Sequence, residues 1–392
     1  MKLGFYYHSA FKIKNNKILV PGYIGVFIDE LANQTDKLYL FLERQTNDES
    51  QEEDYELSCL NIELIDLGSK SSFYKRLLMP QLILKKFNPY KQILDAFLIR
   101  CPSPLAPHIF NYYQSYMPVF PLLVGNYIDG LKDLKQPLIR KTAITILTHY
   151  YQYLQNKMVS RSNIFVNSAL LEKENKSRAQ HINLIKTTTL SKDSFFKRQD
   201  TCNGDTINLL YTGRINFQKG LRELIQATAI LNQKFNVTLN IVGWEEGETK
   251  VYQLELEKEA QKFNIKEKVI FHGKKKIGSE LQAFYQTSDI YVIPSYHEGF
   301  PRTIWEAMAS STPVIATSVG SIPFYLKDKF NALIIRPRDV NEIVNAAEQI
   351  ITDKQLRMHL INNAFSLVEE ITLEKQTKIL LDKIYSSINS KK

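Results

Sequence analysis

Short apolar runs alternate with stretches of helical spacing along most of this chain. Lys2–Tyr7 reads as a strand. After Pro21, Gly22 and Gly25, the residues Ile24, Ile28 and Leu31 recur at the interval of one helix face. Leu38–Leu42 reads as the next strand, and further strands are predicted at 62–67, 96–99, 120–125 and 164–167. Arg140–Val159 reads as a long amphipathic helix. From about 186 to 205 the chain is polar and ends in Asn203-Gly204-Asp205, so a linker is expected there. Beyond it the alternation is cleaner. Strands are predicted at 207–212, 237–242, 269–272, 290–294 and 314–316, with helices at 221–231, 252–263, 280–287 and 303–309. Such alternation predicts an α/β fold of two doubly wound parallel-sheet domains, 1–195 and 205–370, facing a central cleft. A last helix, at about 372–392, is placed to pack back on the first domain.

Composition sharpens this picture. With 392 residues the chain is longer than one hydrophobic core usually serves. Cys59, Cys101 and Cys202 are far apart and have neither metal-ligand nor redox spacing, which points to a reducing compartment. The first residues lack the apolar stretch of a secretion signal, and no run is long enough to span a bilayer. The expected location is the cytoplasm or the inner face of the cell membrane. The net charge of +9 admits nucleic acid, an anionic membrane surface or a phosphorylated substrate. No zinc spacing, aromatic RNA-binding signature or helix-turn-helix pattern accompanies the charge, so nucleic acid is set aside. Between Lys70 and Lys91, Lys70, Lys75, Arg76, Lys85 and Lys86 interleave with Phe73, Tyr74, Leu77, Leu78 and Met79. That stretch reads either as a face for an anionic bilayer or as a core helix with a basic outer side.

Two segments carry chemistry. The first runs from His297 to Ala309 and holds Glu298, Gly299, Phe300, Pro301, Arg302, Thr303 and Glu306. It follows the predicted strand ending at Pro294, and ligands of open parallel sheets bind at strand carboxyl ends. Pro301 suits a first helical position, and Glu306 is then expected about two turns inside the helix. Two carboxylates beside a helix start pair hydroxyl acceptors with an anion seat, which a sugar joined to a diphosphate requires. The second segment is Leu210–Leu221, with Gly213 and Arg214 after a strand and Lys219-Gly220 before a helix. Two fixed cations there can hold a diphosphate and stabilise charge on a departing phosphate.

Together these segments resemble the family 4 retaining glycosyltransferases, of bacterial surface-polysaccharide type, which have the two-domain GT-B fold. Glu298 and Glu306 match the family's Glu, seven residues, Glu pattern. Gly213, Arg214, Lys219 and Gly220 match its Gly-Arg and Lys-Gly pattern. Ile241-Val242-Gly243, Phe271-His272-Gly273, Pro313–Thr317 and Val319-Gly320 follow in family order, and the likeness covers roughly residues 205–340.

The resemblance implies a donor-binding C-terminal domain and an acceptor-binding N-terminal one. It implies that Arg214 and Lys219 bind the donor diphosphate, Glu306 the ribose and Glu298 the sugar hydroxyls. Gly299, Phe300, Pro301, Arg302 and Thr303 would line the sugar, and Gly213, Gly243 and Gly22 would approach the donor. Asp129 or Asn126 would stand near the reacting carbon; Asp129 reads equally as a turn residue before Gly130. His108, His149 and His297 read as structural or exposed. The implied activity is that of a hexosyltransferase which retains configuration. Its donor would be a UDP- or GDP-sugar, its acceptor a glycan or lipid-linked sugar, and no metal or other cofactor is expected, the chain containing no Asp-x-Asp. The rival readings are a GT-B sugar-nucleotide epimerase and a non-catalytic sugar-nucleotide-binding protein. The chain departs from the family after Gly243, where it reads Trp244-Glu245-Glu246-Gly247-Glu248. It departs again after Gly320, where Ser321 and Phe324 replace a second Gly and a Glu, so Ser321 is left out of the phosphate-binding set.

Overall fold

The computed structural model describes all residues except 47–52, 71–78, 129–130, 132–136, 246–249 and 390–392. The chain divides into two compact units. One comprises Met1–Thr187 with Glu374–Lys392, the other Thr188–Leu373.

The strands of the first unit are β1 (Lys2–Lys14), β2 (Lys17–Val20), β3 (Lys37–Arg44), β4 (Tyr55–Glu56), β5 (Ile62–Ser69), β6 (Ala96–Cys101), β7 (Val119–Leu123), β8 (Asn163–Val166) and β9 (His181–Leu184). Its helices are α1 (Gly22–Asn33), α2 (Pro80–Leu84), α3 (Ala106–Tyr113), α4 (Leu138–Val159) and α5 (Ala169–Asn175). Seven strands run parallel in the order β5-β3-β1-β6-β7-β8-β9. The sequence cause is near-continuous burial along β1, β3 and β6, as a sheet covered on both faces requires. Tyr6, Phe97 and Ile99 face one apolar cluster; Leu3, Phe5 and Leu98 face the other. β1 outruns its expected end. Its register shifts between Tyr6 and Ala10, and its last residues pair antiparallel with β2. β7 stops at Leu123, two residues short of expectation.

The second unit contains β10 (Ile207–Thr212), β11 (Val237–Val242), β12 (Val269–Gly273), β13 (Ile290–Ile293), β14 (Val314–Thr317) and β15 (Leu333–Ile335). Helices α6 (Leu221–Leu231), α7 (Val251–Lys262), α8 (Ser279–Thr287), α9 (Thr303–Ala309), α10 (Ile322–Tyr325), α11 (Val340–Thr352) and α12 (Lys354–Val368) surround them. The parallel order is β12-β11-β10-β13-β14-β15. Counted from the first strand of the unit outward, the order reverses between β10 and β13. The crevice at such a reversal is where doubly wound sheets bind ligands.

The segment expected to be a linker, and the expected end of the first domain at 195, are both revised. Thr188 onward belongs to the second unit and is packed on it. Leu190 joins an apolar cluster there, and the Arg198 guanidinium donates to the carbonyls of Gln286 (2.9 Å) and Tyr285 (3.3 Å). Asp200 accepts from Arg357 at 2.6 and 3.1 Å. Arg198 and Asp200 are thus polar because they satisfy main-chain carbonyls and a shielded arginine of the second unit, although Lys192, Asp193, Lys197 and Asn203 in the same segment are exposed. The last helix, α13 (Leu373–Asn389), places Leu380, Leu381 and Ile384 in the first unit's core beside Leu3, Phe5 and Phe165.

Candidate functional site

The loops after β10 and β13 meet at the reversal point of the second unit. Gly220 ends the first loop with φ +65°, and a Cβ there would lie 2.2 Å from the Pro294 carbonyl oxygen. Only glycine lets the backbone take that turn so close to its neighbour. The turn brings Lys219 to Glu298: Nζ lies 2.6 Å from Oε1, and both side chains are largely shielded. The Ser295 hydroxyl donates to the same carboxylate oxygen at 2.7 Å. Glu298 is thus fixed by a charged and a neutral donor, and its other oxygen retains acceptor capacity. Space is open beside it, since a Cβ built on Gly299 meets nothing within 4 Å.

The backbone of this turn is held from β14's side. Gly320, φ +56°, packs so tightly that a Cβ there would lie 1.8 Å from the Glu298 carbonyl oxygen. The Ser321 N–H donates to the Gly299 carbonyl at 2.7 Å. Ser321 was set aside on sequence grounds as a phosphate ligand; what it supplies is main-chain support for the acidic turn.

Glu306 is buried at the other side of the site. Tyr285 donates to its Oε2 at 2.7 Å, and the Thr189 hydroxyl donates to its Oε1. Tyr285 also meets the Thr212 hydroxyl at 2.6 Å, and Tyr291 donates to Thr303 Oγ1 at 2.7 Å. Burial, followed by the Glu306 charge, pushes the Tyr285 phenol well above its ordinary pKa, so it stays a donor. The Tyr291 phenol is raised too, by burial first, and it feels both Glu306 and Glu298. Tyr211 is likewise raised by burial and by Glu298, against a lowering effect of Arg214. One buried tyrosine cluster therefore lies within electrostatic reach of both acids and of Arg214. Arg214 itself is exposed, and its carbonyl accepts from Tyr211 at 2.8 Å.

Several sequence expectations change here. Helix α9 starts at Thr303 with Arg302 as N-cap, so Pro301 precedes the helix instead of opening it. The Pro301 carbonyl accepts from the Ile304 N–H in a turn that stands before the first helical residue. Glu306 accordingly sits in the first turn of α9, not two turns in. Phe300 stacks on buried Trp305 at 4.2 Å, which leaves its backbone, not its ring, for a ligand. Gly243 donates its N–H to the Gly273 carbonyl, and Gly213 donates to the Val242 carbonyl. Glu245, in the loop of unusual sequence, caps α7 by accepting from the N–H groups of Tyr252 and Gln253 at 3.0 and 2.8 Å.

Gly22 belongs to the first unit, where it is the first residue of α1 and donates its N–H to Asp54 at 2.9 Å. The segment expected to bring Gly22 to the donor is thus the start of a helix. Asp129 lies outside the described residues, as do 71–78 of the basic stretch Lys70–Lys91. Thr189 and Tyr285 escaped sequence reading. Thr189 stood in a run read as linker, and Tyr285 occupied an ordinary amphipathic helix.

Residues 193–367, most of the second unit, match the family described as glycosyl transferases, group 1. An uncharacterized glycosyltransferase of Methanocaldococcus jannaschii is 31% identical over 169 residues, 43% of this chain and 42% of that protein. The capsular polysaccharide biosynthesis glycosyltransferase CapM of Staphylococcus aureus is 29% identical over 188 residues, 47% of each. The chain spans about half the length of the curated relatives it matches. Among solved structures, HepE of Anabaena, crystallised with UDP and glucose, superposes with a TM-score of 0.72. The match covers 98% of this chain and all of that one at 17% identity. The chain has the GT-B fold. Both parallel sheets are thereby those of Rossmann-like GT-B domains, and the Glu298–Lys219 pair lies in the GT-B domain that the family match covers. Among the described residues no group of three or more His, Cys, Asp or Glu is arranged to hold a metal ion, and no helix is long and apolar enough to cross a membrane.

Proposed function

We propose that this chain is a retaining, metal-independent glycosyltransferase of the hexosyltransferase type. It moves a sugar from a UDP- or GDP-sugar to a glycan or lipid-linked acceptor at the cytoplasmic face of a membrane, in surface polysaccharide synthesis. The observation that carries the reading is the pair of shielded carboxylates at one strand-order reversal. Glu298 is tied to Lys219 and Ser295, and Glu306 to Tyr285 and Thr189. HepE's crystallisation with UDP and glucose supports a nucleotide-sugar donor, and CapM's name supports the polysaccharide setting.

In this reading Lys219 and Arg214 neutralise the donor diphosphate, and Glu306 accepts from the ribose hydroxyls. Glu298 accepts from sugar hydroxyls. The bond from the anomeric carbon to the phosphate oxygen breaks, and a bond to the acceptor oxygen forms on the same face. The acceptor proton passes to the departing phosphate. Fixed cations lower the cost of the charge that develops on it. Calorimetry with UDP-, GDP- and ADP-sugars tests the assignment. We expect saturable binding of at least one UDP- or GDP-sugar, lost in Arg214→Ala/Lys219→Ala. Absence of binding by all three classes refutes it.

A further inference from the structure

The sheet of the first unit has a strand-order reversal of its own. From β1 the chain steps outward to β3 and β5 on one side, and β6 opens the other side. β1 and β6 pair in parallel as far as Tyr6 and Ile99. Tyr7 and Arg100 are the next residues, level with one another at the carboxyl ends where such sheets take ligands. Both lie on the α1 face of the sheet. Tyr7 shares an apolar cluster with Phe5 and Leu98, and Arg100 follows Leu98 at the two-residue interval of one strand face. Tyr23, in the first turn of α1, packs on the same cluster.

The Arg100 guanidinium is laid against these rings. Its Cζ lies 4.2 Å from the centre of the Tyr7 ring and 5.8 Å from that of Tyr23, and the two phenol oxygens are 3.0 Å apart. The rings orient the fork without neutralising it, since a ring face offers a cation less than a carboxylate does. Nη1 is shut off from water and has no acceptor. Among the described residues no carboxylate pairs with the guanidinium, although the residue is half-buried. The shielded arginines of the second unit are held differently. Arg198 donates to the Gln286 and Tyr285 carbonyls, and Arg357 to Asp200 and the Ile350 carbonyl. A partly desolvated cation without an acceptor costs stability, and a bound anion removes that cost.

We propose that Arg100 seats an anionic group of the acceptor, a phosphate or a sugar carboxylate. The planar fork takes either one through two parallel N–H donors, and its stacking on Tyr7 fixes the plane in which they point. Assigning the anion to the acceptor rests on the reading above, in which the donor diphosphate already has Arg214 and Lys219 in the second unit. The binding of an anion at Arg100 does not depend on that reading. Anion binding needs no nucleotide and nucleotide binding needs no Arg100, so either can fail alone.

The full chain, held at saturating UDP, is titrated calorimetrically with glucose 6-phosphate, with glucuronate and with glucose. Saturable binding is expected for one or both of the anionic sugars and not for glucose. A response to glucose 6-phosphate alone names a phosphate as the anion, and a response to glucuronate alone names a carboxylate. Arg100→Gln should weaken that binding about tenfold or more and leave UDP affinity unchanged. Arg100→Lys keeps the charge without the fork and should weaken it by a smaller factor, which keeps the test decisive if the glutamine variant folds poorly. Arg214→Ala/Lys219→Ala, titrated without UDP, should bind the anionic sugar as the wild type does. Four results overturn the proposal: no binding of either anion by the wild type, glucose binding as tightly as the anions, equal anion binding by both Arg100 variants, or a parallel loss of UDP affinity in them.

Discussion

Tyr285 and Glu306 meet in a buried hydrogen bond of 2.7 Å, and the same phenol oxygen lies 2.6 Å from the Thr212 hydroxyl. The tyrosine thus ties the carboxylate on α9 to the end of β10, the strand that leads into the Gly213–Gly220 loop. Tyr285→Phe removes the donor from a buried carboxylate oxygen and keeps the ring. A loss of about 1–3 kcal/mol is expected, the usual cost of leaving such a group short of a partner. Urea unfolding measures it. Donor affinity should fall about tenfold in the same variant if Glu306 holds the ribose. A variant as stable as the wild type would show that Glu306 is satisfied without Tyr285.

Arg214 and Lys219 are expected to separate function from stability. Arg214 is exposed, so Arg214→Ala should leave the melting temperature nearly unchanged. Transfer should drop by a factor of about a hundred or more, as for loss of one fixed charge at a departing phosphate. Lys219→Met should do the same to transfer and also destabilise slightly, because Glu298 loses its charged donor and keeps the neutral donor Ser295. Steady-state kinetics alongside differential scanning calorimetry decides. Near-normal turnover in either variant removes that residue from the reaction.

Most of the second unit was legible in sequence because its strands are short, apolar and parallel, and each is bounded by a glycine or polar turn. Ile207–Thr212 and Leu221–Leu231 were read with their observed ends. The first unit was legible in its central strands and less so at its edges. β2, β4 and β9 are short and mostly half-buried or exposed, so they carry no apolar run as long as those of the central strands. The candidate site was legible where its acidic residues are close together in sequence, as between Glu298 and Glu306. It was illegible where support comes from afar. Thr189 lies 117 residues from Glu306, and a threonine in a polar stretch gives no sign of the carboxylate it will meet. The segment from Thr188 to Asp205 misled for the same reason, since Arg198 and Asp200 satisfy groups that lie more than eighty residues away.

The Asp200–Arg357 pair carries a pH dependence. Burial raises the Asp200 pKa, but hydrogen bonds from Arg357 and the Thr201 N–H, with the charges of Arg357 and Lys354, outweigh it, and the net shift is downward. The folded state then binds fewer protons than the unfolded state between the two pKa values. The pair's stabilisation is complete above the unfolded carboxyl value, near 4, and is lost as pH falls through the lower folded value. Arg357→Met leaves Asp200 shielded without its main partner, and a loss of about 3 kcal/mol at neutral pH is expected. The difference between wild type and variant should shrink as pH falls below about 4. Urea midpoints across that range measure it, and a difference independent of pH would assign the loss to packing of the Arg357 side chain and to its hydrogen bonds with the Ile350 and Ile351 carbonyls.

Gly320→Ala tests whether the acidic turn must be held where it is. Gly320 has φ +56°, and its missing Cβ leaves room for the Glu298 carbonyl oxygen, which would otherwise lie 1.8 Å away. That neighbour is backbone, so a methyl group cannot be accommodated by a side-chain rotation. The turn must shift, and with it the Ser321 N–H bond to the Gly299 carbonyl. The expected stability loss is about 1–3 kcal/mol, the usual range for a side chain forced into a strained backbone site. Catalysis should suffer more than stability, because a displacement of about 1 Å at the reacting groups costs about a hundredfold. The readout is kcat/KM beside the unfolding midpoint. If the turn merely caps the sheet, both should fall together in proportion, and donor affinity should survive in whatever fraction stays folded. If it positions Glu298 against the sugar, the fully folded variant should still bind UDP and fail to transfer.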